Sequence, residues 1–321
     1  MPAGPSNTLL VRAVEQLFRF PPFFNMAAAN ARKMIIDRGS KMGMDFAGEI
    51  KALYEVDWPS ELKQVVDPSL EIPGYYRQPF HAYKDGNLCW EAAVEMTVAA
   101  VSVHSVVYDP SGKRLDPKGD TNLRDNYSWC MQQLLQESGA RPVSDILDVG
   151  CATGLSSLAL LRAFPDAHVT GVDLSPYMLA VGHHLQRKRE RESGVKEALA
   201  FRHAPAEATG LPDACLDLVS ICLVCHELPE EPTRAIFKEA FRLLRPGGAL
   251  AIMEMNPSSP AFQRIFSNPF PYVAFKSTEP YLLDYVTLDL HAAIKQQGFQ
   301  APLQMENSPR HRTVVAVKPR T

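Results

Sequence analysis

The residues most suggestive of chemistry lie at positions 146–154 (ILDVGCATG), where an acid and two glycines follow a short apolar run. A second apolar run, residues 168–172, ends at another acid, Asp173. Glycine lets a backbone approach a bound molecule closely because it carries no Cβ, and an acid at a strand end can accept hydrogen bonds from ribose hydroxyls. The order of strand, glycine-rich turn, helix, strand and acid is typical of a nucleotide-binding crossover.

The spacing of the residues in this turn limits which kind of nucleotide ligand it could bind. Gly150 and Gly154 do not follow the G-x-G-x-x-G pattern of dinucleotide sites, and no Lys-Ser/Thr pair follows them, as a phosphate-cradling loop requires. Asp148, just before the first glycine, would repel a phosphate. These features favour a cationic ligand without phosphate. S-adenosylmethionine is such a ligand, since it has a sulfonium, an ammonium and a ribose.

Five motifs in order resemble those of the class I S-adenosylmethionine-dependent methyltransferases, in particular methyltransferases of type 11. The motifs are the glycine-rich turn 148–154, the ribose segment 172–179, the adenine loop 206–212, the fourth strand 216–220 and the turn 242–248 before the fifth strand. The resemblance covers roughly residues 140–320. It implies an α/β fold with a doubly wound, seven-stranded sheet whose last strand is antiparallel. The residues before this region are predicted to form a helical N-terminal cap.

The resemblance also implies the cofactor, S-adenosylmethionine, with S-adenosylhomocysteine as the product. The residues it assigns to cofactor binding are Asp148, Gly150, Cys151, Ala152, Gly154, Asp173, Leu174, Met178, Ala206, Glu207 and Cys222. Two positions depart from the family pattern. Ala152 stands where many members have a glycine, and residues 205–206 (PA) stand where many have an acid that binds the adenine amine. Adenine recognition is thereby left to backbone groups or to Glu207.

Methyl transfer is an in-line displacement, so holding the reacting atoms in line meets much of its barrier. A base is needed only where the acceptor must lose a proton. His226 and Glu227 directly follow the fourth strand, on the side that faces the methyl group in this family, and are the predicted catalytic residues; a purely structural histidine is the alternative. The predicted acceptor-contacting residues, from both halves of the chain, are His81, Tyr83, Trp90, Glu254, Tyr281 and Tyr285.

The chain is predicted to divide into a helical cap and substrate region, residues 1–125, and a cofactor-binding domain, residues 126–321. The predicted elements of the first part are a helix over 9–20, one or two helices over about 25–54, a helix over about 90–101, an exposed loop over 106–122, and a further helix capped by Thr121. A cap at the open end of the sheet would close a water-poor pocket over the methyl group. A dimerisation surface is the alternative role.

Two further segments bear on the acceptor. Residues 78–90 (QPFHAYKDGNLCW) resemble a segment of little-characterised methyltransferases from plants, algae and cyanobacteria, and form either a pocket wall or a structural turn. Residues 256–285 are predicted to form a long irregular insertion. Its aromatic residues are Phe262, Phe266, Phe270, Tyr272 and Phe275. They suit a hydrophobic or planar acceptor, such as a quinone or a plant-type secondary metabolite, or else form the insertion's own core.

Composition narrows the function classes. The 321-residue chain has a net charge of −3 and a pI of about 6.3, which argues against a nucleic-acid partner. No apolar run is long enough to span a bilayer. We therefore expect a small-molecule acceptor and a monomer or homodimer. A protein or RNA methyltransferase, or a cofactor-binding regulator without turnover, are the alternatives.

The cysteines bear on metal binding and on the compartment in which the protein is located. Residues 222–226 (CLVCH) match a c-type haem attachment sequence, but their apolar strand favours buried cysteines, and we expect no metal site. Six cysteines without a recognisable secretory leader predict free thiols in a reducing compartment. The cytosol is the expected location. The plastid is the alternative, because the N-terminal segment is mildly basic and its resemblances lead to photosynthetic organisms.

Overall fold

In a computed structural model, which describes residues 21–81 and 83–320, seven strands form one sheet in the order β3-β2-β1-β4-β5-β7-β6. The strands are β1 (Asp145–Val149), β2 (His168–Asp173), β3 (Leu199–His203), β4 (Leu216–Cys222), β5 (Leu244–Met255), β6 (Leu303–Glu306) and β7 (His311–Val317). The first five pair in parallel, and β7 runs antiparallel between β5 and β6. This confirms the predicted doubly wound sheet with its antiparallel end.

The central strands are apolar because both of their faces are covered. Every residue of β4 is buried, and in the adjoining β5 residues 247–254 are continuously buried. Parallel strands covered by helices on both faces have near-continuous apolar runs of this kind. The helices of this domain are α6 (Leu155–Ala163), α7 (Pro176–Ser193), α8 (Glu230–Leu243) and α12 (Leu290–Lys295).

The first part of the chain is helical, as predicted. Its helices are α1 (Pro21–Lys41), α2 (Phe46–Tyr54), α3 (Trp58–Leu62), α4 (Trp90–His104) and α5 (Gly119–Glu137), with a 3₁₀ helix at Gly74–Arg77. The helix predicted over residues 9–20 lies outside the described residues. The proposed domain boundary between residues 125 and 126 falls inside α5. We therefore propose that the boundary lies in the loop before Gly119.

Two predicted segments differ from the structure. The region 106–122 is not a fully exposed loop, because Val106 and Val107 are buried and α5 already begins at Gly119. Thr121, the predicted cap, therefore lies inside the helix. Residues 256–285 are not irregular but contain three short helices, α9 (Pro260–Ser267), α10 (Pro269–Thr278) and α11 (Leu282–Thr287). Their prolines stand in the first turns of α9 and α10, where a missing N–H does not matter.

The cap is joined to the sheet domain by an aromatic cluster. Trp58 stacks on Trp90 with ring centroids 5.1 Å apart, and Trp90 meets Tyr177 of α7 edge to face at 4.8 Å. Met178 and Val181 of α7 belong to the same apolar cluster. Trp90 is therefore part of the contact between the cap and α7.

Neither a long apolar helix nor a disulfide is found in the described part of the chain. No helix there has the length and apolarity needed to cross a membrane. All six cysteines are free, as predicted, and those at 222 and 225 are buried.

Candidate active site

A cavity of about 670 Å³ opens at the carboxyl ends of β1, β2 and β4. The strand order reverses between β1 and β4, and open α/β sheets bind their ligands outside the strand ends at such a point. The cavity wall is shared by the sheet domain, the cap and the insertion. Cap helices α1 and α4, the Gly74–Arg77 turn and insertion helices α9 and α10 all contribute lining residues.

The glycine-rich turn between β1 and α6 has a backbone that favours glycine. Gly150 and Gly154 have φ angles of 63° and 91°, which side chains with a Cβ rarely adopt. A Cβ at Gly150 would also stand 2.6 Å from Val224. Ala152 has a φ of 47°, so the position where the family often carries glycine is left-handed here too. The turn thus presents its backbone directly to the cavity.

Asp148, at the end of β1, holds this turn against the start of α6. It is completely buried and accepts hydrogen bonds of 2.6 Å from the hydroxyls of Ser156 and Ser157 at the start of α6. Its other carboxylate oxygen has no partner among the described residues. Burial raises the pKa of Asp148 to about 6, although both serines lower it. Asp148 does not line the cavity, so it acts on a ligand only through the turn and its charge.

Asp173, the predicted ribose acid, connects three segments. It accepts hydrogen bonds from the N–H of Ala152 and of Ser175, each at 2.8 Å, and from the hydroxyl of Tyr76 at 3.2 Å. Burial raises the pKa of Asp173, while these donors lower it. Tyr76 belongs to the Gly74–Arg77 turn of the cap. The cap therefore reaches the position where ribose hydroxyls would bind, which the sequence did not indicate.

The adjacent Tyr75 contacts the predicted adenine acid. Its hydroxyl donates to Glu207 at 2.7 Å, while the second Glu207 oxygen is buried without a partner among the described residues. An orphaned carboxylate oxygen in a cavity wall is suited to an amine donor. Tyr281, predicted to touch the acceptor, instead donates its hydroxyl to the Tyr75 carbonyl at 3.1 Å. Leu174, Met178 and Ala206 line the cavity nearby.

These residues fit S-adenosylmethionine. Asp173 can accept ribose hydroxyls, the orphaned Glu207 oxygen can accept from the adenine amine, and the turn at Gly150 allows close backbone approach. Cys151, Ala152 and Cys222 also line the cavity. When bound, the cofactor supplies an activated methyl group on its sulfonium.

Beyond the cofactor residues, His226 and Glu254 form a buried ion pair. The Nδ1 of His226 lies 2.9 Å and 3.0 Å from the two carboxylate oxygens, and its backbone N–H donates to Glu254 at 3.2 Å. Burial lowers the pKa of His226, but Glu254 raises it more, so that it reaches about 10. His226 lines the cavity and Glu254 lies behind it. The Glu254 carboxylate therefore favours the protonated form of His226 over the free base.

Glu227 faces the cavity next to two histidines. Its carboxylate lies 3.7 Å from the Nε2 of His81 and accepts a hydrogen bond from the side chain of Asn87 at 3.5 Å. Burial raises the pKa of Glu227 to about 7, although His81 and His226 lower it. A carboxyl group with this pKa can take up or release a proton at neutral pH.

His81 joins the cap to the insertion. Its Nε2 lies 2.9 Å from Glu279, and its backbone N–H donates to the Thr278 carbonyl at 3.1 Å. Burial lowers the pKa of His81, but Glu279 raises it more. His81 also has a left-handed φ of 47°, a strained backbone of the kind found at functional sites. Glu279 was not predicted, because no local pattern links it to His81.

The remaining predicted residues divide into two groups. Tyr83 lines the cavity, donates its hydroxyl to Glu95 at 2.7 Å and carries the Arg32 guanidinium over its ring at 4.9 Å. Trp90 and Tyr285 are not among the lining residues: Trp90 packs within the cap, and the Tyr285 hydroxyl donates to the Met255 carbonyl. The structure thus brings His81, Tyr83, His226 and Glu227 together. It leaves Trp90, Tyr281 and Tyr285 outside the cavity lining.

The fold and the site together define a class I, S-adenosylmethionine-binding methyltransferase domain. The family described as "Methyltransferase domain" matches residues 146–248. The structure of human N-acetylserotonin methyltransferase in complex with S-adenosylmethionine superposes with a TM-score of 0.52 over 89% of this chain and 70% of that one. At 12% sequence identity this likeness shows the fold alone.

Curated relatives include quinone-modifying enzymes. The demethylmenaquinone methyltransferase of Listeria welshimeri is 31% identical over 132 residues, which is 40% of this chain and 53% of the relative. That of Staphylococcus aureus is 28% identical over 173 residues, 53% of this chain and 68% of the relative. The chain thus spans about half the length of the first of these relatives. The family match and the fold confirm the predicted methyltransferase domain over residues 146–248.

Proposed function

We propose that the chain transfers a methyl group from S-adenosylmethionine to a small acceptor with a hydrophobic or aromatic body. One observation carries this proposal: the cavity continues from the cofactor residues past Glu227 to walls made of the cap and insertion helices. Small-molecule pockets are concave, mostly apolar and equipped with a few convergent polar groups. The quinone acceptors named for the two bacterial relatives are of the same chemical kind.

We further propose that Glu227 is the base. The acceptor then has a proton to lose, as a hydroxyl or an activated carbon does. The methyl group passes from sulfur to the acceptor atom, the acceptor proton passes to the Glu227 carboxylate, and S-adenosylhomocysteine leaves. His226, held by Glu254, supplies a fixed positive charge beside the negative charge that develops on the acceptor.

The remaining expectations belong to the same proposal. With a net charge of −3, the chain lacks the basic surplus that nucleic-acid binding requires. A small metabolite therefore suits the site better than RNA does. We expect a monomer or homodimer in the cytoplasm, with the plastid as the alternative location.

The test is transfer of labelled methyl from S-adenosylmethionine into a metabolite extract, with protein and RNA fractions assayed in parallel. We expect label in an organic-soluble small molecule, whose mass identifies the acceptor. Label only in protein or RNA would contradict the acceptor class. Cofactor binding without label in any fraction, across extracts from several sources, would favour a regulator without turnover.

A further inference from the structure

One face of α4 is apolar, yet the described residues do not cover it along its whole length. Its cavity-lining residues recur at helical spacing and are Ala92, Met96, Ala99, Ala100 and Val103. With a rise of about 1.5 Å per residue, these positions extend over roughly 16 Å of the helix axis. An apolar helix face normally packs against other side chains. Here it faces the cavity instead.

The opposite walls are apolar as well. Helix α1 contributes Ala31, Met34 and Ile35, and the insertion contributes Phe262, Ile265, Pro271 and Phe275. Helix α1 is fixed on α4 by two contacts, from the Arg38 guanidinium to the Ser102 carbonyl at 3.0 Å and from Arg32 to Glu95 at 3.1 Å. We call the space between α1, α4, α9 and α10 the apolar chamber.

The exposure of α4 shows the direction of this chamber. Ala92 is 1% exposed, Ala99 and Ala100 are half-buried, and Val103 is 50% exposed. Met34, across from it on α1, is 39% exposed. The chamber therefore opens to the surface near Val103 and Met34 and runs inward towards the polar residues of the site.

The inner end of the chamber has unsatisfied polar atoms. One carboxylate oxygen of Glu279 and the side-chain oxygen of Asn87 are buried without a partner among the described residues, and both residues line the cavity. Glu279 is only 4% exposed. Buried acceptors of this kind call for a hydrogen-bond donor. A hydroxyl on the acceptor would supply one next to Glu227.

We propose that the acceptor is an amphiphile, with a hydroxyl-bearing head at Glu227, Glu279 and Asn87 and a flexible apolar tail in the apolar chamber. This deepens the proposed function and rests on it. Burying each methylene of such a tail is favourable, whereas a tailless acceptor would leave a long apolar surface in contact with water.

The test uses 5-alkylresorcinols with methyl, pentyl and nonyl tails as probes. Their binding to the protein saturated with S-adenosylhomocysteine is measured by calorimetry, below the concentration at which the probes aggregate. We expect affinity to rise two- to fourfold per methylene between methyl and pentyl, the upper value corresponding to ~0.8 kcal/mol. Binding, and not turnover, is the readout, so the result does not depend on the resorcinol being a substrate.

The matched variants are Ala100→Phe, which fills the chamber, and Val101→Phe, on the same helix at a position that does not line it. Ala100→Phe should weaken nonyl binding at least tenfold and change methyl binding less than twofold, while Val101→Phe should change neither. Ala99→Leu is a milder second plug, used if Ala100→Phe lowers the melting temperature of the unliganded protein.

The outcomes separate this inference from the proposed function. Two results would contradict the proposed tail site and leave the methyltransferase proposal standing, provided that the protein binds S-adenosylhomocysteine normally. In one, its affinity for the resorcinols does not depend on tail length, and in the other it binds no resorcinol at all. Equal loss at all tail lengths in Ala100→Phe also contradicts the tail site, because the variant would then disturb the head site. Failure of the intact protein to bind S-adenosylhomocysteine removes the proposed function and the inference with it.

Discussion

The two sides of the cavity are built in different ways. On the cofactor side, contacts are local: the N–H of Ala152 and its acceptor Asp173 are 21 residues apart. On the acceptor side they are distant: Asn87 and Glu227, which share a hydrogen bond, are 140 residues apart. A short motif can therefore define the first side, whereas the second exists only when the cap, the strand ends and the insertion come together.

The division is not complete, because the cap also touches the cofactor side. Consecutive tyrosines of the Gly74–Arg77 turn contact the two cofactor acids, Tyr75 reaching Glu207 and Tyr76 reaching Asp173. The same part of the chain places His81 on the acceptor side. This teaches that the cap does more than cover the site: it positions groups on both sides. The following variants test how far the two sides act separately.

The largest effect is expected for Glu227→Gln. If Glu227 is the base, the rate of labelled methyl transfer should fall about 100- to 1,000-fold, while affinity for S-adenosylhomocysteine changes less than twofold. Because burial raises the pKa of Glu227 to about 7, the rate of the unmodified protein should rise with pH through about 7 as the carboxyl loses its proton. The variant should lack this rise.

The control for that variant is Glu230→Gln, at the start of α8, whose exposed carboxylate pairs with Arg234 outside the cavity. It should retain full activity and the same pH profile. A Glu227→Gln protein with an unchanged rate would show that Glu227 only binds the acceptor or has no role in the chemistry.

The next effect concerns the cofactor side alone. Asp173→Ala should weaken S-adenosylhomocysteine binding about 100-fold, since two hydrogen bonds to a charged group contribute at least ~1.5 kcal/mol each. The unliganded protein should also melt at a lower temperature, because the N–H groups of Ala152 and Ser175 lose their acceptor. Calorimetry and thermal melting measure the two effects. Asp166→Ala, in the exposed turn before β2, is the control. Unchanged affinity would remove Asp173 from the site.

A smaller effect tests adenine recognition. Glu207→Gln should weaken S-adenosylhomocysteine binding about tenfold, the equivalent of losing ~1.4 kcal/mol from one charge-assisted hydrogen bond. It should leave the affinity for S-inosylhomocysteine, which has no adenine amine, almost unchanged. Tyr75→Phe should act in the same direction but less strongly, because Tyr75 only holds Glu207 in place. If Glu207→Gln lowered the affinity for both ligands equally, Glu207 would not bind the adenine amine.

The smallest effect probes the contact between the cap and the ribose acid. The Tyr76 hydroxyl donates to the same Asp173 oxygen that accepts from Ser175. If it competes with a ribose hydroxyl, Tyr76→Phe should raise S-adenosylhomocysteine affinity about threefold, in line with the net ~0.5–1 kcal/mol of one hydrogen bond. Calorimetry decides the sign. Weaker binding would instead mean that Tyr76 and the ribose share the carboxylate.

Much of the fold could be predicted because its signals are local. Apolar runs ending in Asp148 and Asp173 predicted β1 and β2, and the glycine spacing predicted the turn between them. For the insertion the prediction of irregular structure is wrong, because proline breaks a helix only in its interior. In the structure the insertion's prolines begin helices instead, at positions 260 and 269.

The acceptor side was predicted only in part. His81, Tyr83, His226 and Glu227 were selected by position along the chain, and they do meet in the cavity. Trp90 and Tyr285 have the same chemical character but pack elsewhere, because an aromatic ring fills core as readily as it lines a pocket. Glu279 and Tyr76 were missed, since neither lies in a pattern that distinguishes it from an ordinary surface residue.

The sequence by itself determined the parallel sheet, the glycine turn and the cofactor class, because each depends on residues close together in the chain. Only the tertiary structure decided which charges surround Glu227, that His226 is paired with Glu254, and that Tyr75 and Tyr76 reach across from the cap. A pKa and an orphaned oxygen depend on burial and on neighbours from distant segments. No local pattern in the chain contains that information.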